Sequence, residues 1–101
     1  MAIQRIVKMT FKADKKDDFQ SFFNGIKDQI AAQAGCHEVR LLRDQSDSGI
    51  FFTYSVWNDQ TALDQYRETD LFAKVWPTVK EWFAEKPEAW STELVGEATH
   101  Q

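Results

Sequence analysis

A chain of 101 residues with 28% charged and 43% hydrophobic side chains falls among ordinary globular domains rather than disordered or membrane chains, and a formal net charge of −4 lacks the basic face that nucleic-acid binding needs. Its one cysteine, Cys36, excludes an internal disulfide and a cysteine-rich metal framework; no segment reaches the roughly 18 apolar residues of a membrane span, and the opening Met-Ala-Ile-Gln-Arg has no apolar run of signal-peptide length. The expectation is one cytoplasmic domain over residues 1–101, with a core at 2–95 and a polar tail at 96–101, and neither nucleic acid nor membrane as partner.

Residues 2–11 alternate, with Ile3, Val7, Met9 and Phe11 on one face and Ala2, Ile6 and Thr10 on the other, the period of a strand. Lys12, Lys15 and Lys16 are interleaved with Asp14, Asp17 and Asp18, which cancels their field and suits a solvated helix start. From Asp14, the stripe Phe19, Phe22, Phe23, Ile26 and Ile30 predicts an amphipathic helix, stopped at Ala34-Gly35 by a left-handed glycine cap. Residues 36–43 read as a second strand and 44–49, made of Asp, Ser and Gly, as a turn into a third at 50–57. That third strand carries apolar residues on both faces: Ile50, Phe52, Tyr54 and Val56 on one, and Phe51 and Trp57, with Thr53 and Ser55 between them, on the other. Asn58 or Asp59 then caps a helix carrying Ala62, Leu63 and Tyr66. A further helical pattern, Phe72, Val75, Trp76, Val79, Trp82 and Phe83, contains Pro77, where a kink or restart is expected. Residues 89–95 form the last strand.

The order β-α-β-β-α-β describes an α+β, ferredoxin-like split βαβ fold, an antiparallel four-stranded sheet with its helices on one face. The uncovered face then carries apolar side chains that something must bury, and a second copy of the same sheet is the simplest solution, giving a homodimer. The aromatic content points the same way. Eight Phe, four Trp and two Tyr, each able to bury roughly 150–250 Å², are hard to hide inside one small subunit, so some should face a partner or a ligand.

Gly35-Cys36 opening the second strand, Val56-Trp57 ending the third, and the Ala62-Leu63, Tyr66, Leu71-Phe72 spacing after it resemble the antibiotic biosynthesis monooxygenase family of the dimeric α+β barrel superfamily, over about residues 2–95. The resemblance implies two sheets paired into a barrel, a ligand pocket between each sheet and its helices, and, in several members, oxygenation without metal or flavin in which a deprotonated aromatic substrate itself reduces dioxygen. Positions that the haem-degrading branch fills with Asn, Trp and His are here Val7, Tyr66 and Trp76, so no imidazole ligates iron. Positions often His in the quinol-oxidising branch are Tyr66 and Leu71, leaving Tyr66 as the phenolic substitute.

The expected site is therefore an aromatic wall of Trp57, Tyr66, Phe72 and Trp76 binding a small aromatic or apolar ligand, with Tyr66 as the catalytic hydrogen-bonding group and no cofactor or metal. Each of these residues has a plainer reading as core packing. His37 reads as a surface ion pair with Glu38, Cys36 as a small buried residue, and Arg5 and Arg40 either as clamps for a substrate oxygen or, preferably, as sheet-edge salt bridges. The functional expectation is a cofactor-independent monooxygenase acting on a small aromatic or quinol. Its rivals are a non-catalytic small-molecule-binding barrel and a module whose open sheet recruits another protein.

Overall fold

Alternation in two strands sorts the molecule into a covered and an uncovered side. The computed structural model describes residues 2–100, with β1 (Ile3–Thr10), α1 (Lys16–Ala31), β2 (Cys36–Arg43), β3 (Ile50–Trp57), α2 (Gln60–Arg67), α3 (Asp70–Lys80) and β4 (Glu88–Thr92). The strands form one antiparallel sheet in the order β2-β3-β1-β4. Because side chains alternate along a strand, Met9, Phe51 and Trp57 fall beneath the helices and pack with Phe19, Phe23 and Ile30 of α1, Ala62 and Leu63 of α2, and Val75 and Val79 of α3. The intervening positions Ile6, Phe52, Tyr54 and Val56 lie on the opposite face, which no helix covers. Ile6 there pairs with Tyr54 on one side and Trp90 on the other.

α1 begins at Lys16 rather than Asp14, with Asp17 and Asp18 in its first turn, where carboxylates complement the positive helix end. It ends at Ala31, before the glycine expected to cap it. Gly35 instead makes the tight turn into β2 at φ +82°, and a Cβ built there would lie 2.6 Å from the Ala62 Cβ. The turn and α2 are clasped together: the Asn58 amide donates to the Gly35 carbonyl (2.8 Å). Asp59 is the cap of α2, accepting from the Ala62 amide at 2.9 Å. Thr69 both ends α2 and starts α3, its hydroxyl donating to the Tyr66 carbonyl (2.6 Å) and accepting from the Phe72 amide (3.2 Å).

α3 does not restart at Pro77; the proline sits inside one helix. It removes one main-chain donor, and the helix stops one turn later, at Lys80. Trp82 and Phe83, expected on that helix, belong to the turn after it. There Lys12 and Ala84 donate their amides to the Trp82 and Thr10 carbonyls (3.0 and 2.8 Å), and Phe83 bridges to Phe11. β4 is also shorter than expected, ending at Thr92 instead of residue 95. Its register pairs Thr92 with Gln4, so two residues further on it would need Ala2, which lies before β1 begins. Leu94 and Val95 consequently stand exposed. Of the fourteen aromatic residues, Phe11, Phe19, Phe23, Phe51 and Trp57 are buried, and of these Phe19, Phe51 and Trp57 fully so.

Candidate functional site

Between the covered sheet face and the three helices lies a cavity of about 350 Å³, within the size range of small-molecule sites, roughly 300–1,000 Å³. Its floor is the sheet, through Arg5, Val7 and Met9 of β1, Val39 of β2, and Thr53, Ser55 and Trp57 of β3. Leu63, Tyr66 and Arg67 of α2 and Phe72, Val75, Trp76 and Val79 of α3 form the opposite wall. The short connection at Thr69 turns α3 back across the sheet and so brings Tyr66 and Phe72 together.

All four residues of the expected aromatic wall line this cavity, in unequal ways. Trp57 is 1% exposed; Tyr66 stacks over it at 5.1 Å between ring centres and 25° between planes. The Trp57 indole N–H donates to the Ser55 hydroxyl (2.9 Å). Trp57 is thus the bed on which Tyr66 rests. Tyr66 meets Phe72 edge-on at 5.4 Å, and Phe72 lies nearly parallel to Trp76, 7° between planes at 6.1 Å. Tyr66, Phe72 and Trp76 are half-buried and line the cavity.

Burial, with a smaller contribution from nearby Cys36, pushes the Tyr66 phenol up to about 12. At neutral pH it therefore keeps its proton and acts as a hydrogen-bond donor rather than a base. Cys36 does not line the cavity. Its thiol, 3.8 Å from the Glu38 carbonyl, is raised by burial against the opposing effect of that contact, the reverse of an activated nucleophile.

Arg5 departs from its preferred reading. It makes no sheet-edge salt bridge; its Nη1 donates to the Ser91 hydroxyl of β4 (3.1 Å), and the residue lines the cavity. Arg40 does form the expected bridge, with Glu38 at 2.7 Å. That leaves His37 without its expected ion pair, and its Nε2 donates instead to the Asn58 side-chain oxygen on the outside of the turn. Arg67, Thr53 and Ser55 are lining residues that the aromatic pattern did not single out. The signal for Arg5 was its place on the Val7 and Met9 face of β1, where a charged side chain points under the helices. Among the described residues no cluster of three or more His, Cys, Asp or Glu is placed to hold a metal ion.

The family model described as antibiotic biosynthesis monooxygenase matches residues 2–76. Among solved structures, Rv0793 from Mycobacterium tuberculosis superposes with a TM-score of 0.86 over 98% of this chain and 100% of that one, at 16% identity. A variant of SnoaB from Streptomyces nogalater, described as a cofactor-independent oxygenase, gives 0.86 over 98% of both chains, also at 16% identity. At these identities the likeness is one of fold. An uncharacterized protein from Synechocystis, sll1783, is 26% identical over 61 residues, which are 60% of this chain but only 42% of that protein's length.

Proposed function

This chain belongs to the antibiotic biosynthesis monooxygenase family, and we propose that it is a cofactor-independent monooxygenase acting on a small aromatic or quinol-type substrate in the cavity between sheet and helices. The observation that carries the reading is the Tyr66 hydroxyl, held protonated by burial in an otherwise aromatic wall of Trp57, Phe72 and Trp76. The reaction asks for a dry space, a donor to the substrate oxyanion and access for dioxygen. For a dihydroquinone the balance is dihydroquinone plus O₂ giving hydroxyquinone plus water. The substrate supplies all the electrons, one oxygen atom enters the ring, and the other leaves as water. No carboxylate or imidazole lines the cavity, so the substrate loses its proton to water, and Tyr66 donates to the resulting oxyanion.

The same lack of a base favours one second reading, a non-catalytic barrel that holds an apolar metabolite. Oxygen consumption with a panel of dihydroquinones separates the two. Turnover that falls about 100- to 1,000-fold in Tyr66→Phe, the scale of one lost oxyanion donor, supports the enzyme. Turnover indifferent to that change removes Tyr66 from the mechanism. Binding without turnover establishes the second reading.

The proposal includes a homodimer through the open sheet face, where Ile6, Phe52, Tyr54 and Val56 are only half-buried and Leu42 and Trp90 are exposed. A second copy of the same sheet would cover these apolar side chains with their own kind; among the described residues no helix is long and apolar enough to cross a membrane.

A further inference from the structure

Of the four arginines in the chain, two are neutralised and two are not. Arg40 and Arg43, away from the cavity, pair with Glu38, Asp17 and Asp47. Arg5 and Arg67, which both line the cavity, have no carboxylate within 4.0 Å among the described residues. Asp64, the acidic group close enough to act on Arg5, accepts a hydrogen bond from the Gln60 side chain at 2.9 Å. The Arg5 guanidinium is held below its ordinary value by burial first and by the Arg67 charge second, with Asp64 opposing.

The half-buried Arg5 guanidinium and the exposed Arg67 charge that acts on it face one small space, and the penalty of bringing like charges together there is one that an anion between them would relieve. The sheet register places Arg5 in a polar row, flanked by Ser55 on β3 and Ser91 on β4. Phe72 and Trp76 bring aromatic faces from α3. The floor is thus polar along one row, and the aromatic faces of α3 stand opposite it.

Resting on the reading of this cavity as a small-aromatic site, we propose that its ligand carries an acidic group, an aromatic carboxylate, whose anionic end is held by Arg5 with Arg67 while its ring lies against Phe72 and Trp76. A guanidinium offers a carboxylate two parallel donors. Arg5 keeps this fork available because only Nη1 is engaged, and by a neutral hydroxyl. The acid would fix the orientation of the ring and leave its phenolic edge for Tyr66.

The test is calorimetric titration of the purified protein near pH 7 with 2-naphthoate and with 2-naphthamide, which match in shape and differ in charge. Naphthoate is expected to bind about tenfold or more tightly than the amide, the scale of a charge-assisted pair. Arg5→Gln should erase that preference, with its urea unfolding transition showing the variant to be folded; Arg67→Gln should reduce the preference in part. Equal affinity for the two probes in the unaltered protein, or tighter binding of the amide, overturns the anionic ligand while the cavity reading stands. Failure of both probes to bind at millimolar concentration overturns the two together.

Discussion

The covered and uncovered faces of the sheet invert the usual arrangement. Beneath the helices, where a core is expected to be wholly apolar, β1 and β3 present Arg5, Thr53 and Ser55. On the side without helices the same strands present Ile6, Phe52, Tyr54 and Val56, with Trp90 of β4 beside them. Buried polar groups cost stability unless they are satisfied or used, and exposed contiguous apolar surface invites a partner. Each departure from simple burial fits the proposed reading: the polar side frames the cavity, and the greasy side is the face proposed for assembly.

Adjacent residues on opposite faces give the sharpest contrast. Phe51 is fully buried, and Phe51→Ala should cost about 3–5 kcal/mol of folding stability by leaving a void in the core, read from urea unfolding. Its neighbour tests the other side. Phe52→Glu should leave each subunit folded and weaken self-association by more than about 100-fold, placing a charge where a central contact is expected; sedimentation velocity that still gives a dimer at micromolar concentration would break the assignment of that face. A smaller effect is expected at the α2 cap, where Asp59→Ala should cost about 1 kcal/mol. The thermal unfolding midpoint, followed at fixed pH, measures it.

The last comparison is confined to alkaline pH and concerns Tyr66. Its phenol is raised from an ordinary 10.0 to about 12 in the folded chain, so folding favours the protonated form. The stabilisation linked to this shift is complete below about pH 10 and disappears as pH climbs through about 12. Melting temperatures of the unaltered protein and Tyr66→Phe should therefore keep a constant difference up to about pH 10, after which the unaltered protein loses ground. A constant difference across the whole range would mean that the hydroxyl is solvated.

Much of the architecture was legible in the sequence because alternation and helical spacing are local signals. β3 begins and ends where its pattern does, and the Phe19, Phe23 and Ile30 stripe faces the core as expected. The misplaced boundaries depended on distant partners. β4 stops where β1 runs out, and Trp82 and Phe83 leave the helical pattern to bridge back to the end of β1. For the site, aromatic residues announced themselves by type, and all four reached the cavity wall. Arg5 was legible only as one of two alternatives, clamp or salt bridge, because an arginine in a strand looks the same whether its end meets water, a carboxylate or a cavity. Only the paths of α2 and α3 over the sheet separate those outcomes, and no short stretch of sequence encodes them.

The depth of the cavity depends on an atom that is absent. Gly35 lets the start of β2 nestle against Ala62, with a hypothetical Cβ only 2.6 Å from that methyl group. Tyr66 lies one helical turn further along α2. Thickening the joint by a single carbon would lever α2 outward and lift Tyr66 off its Trp57 bed. The glycine thus works as a shim of zero thickness, setting the clearance between an aromatic wall and its floor from a position outside the cavity lining.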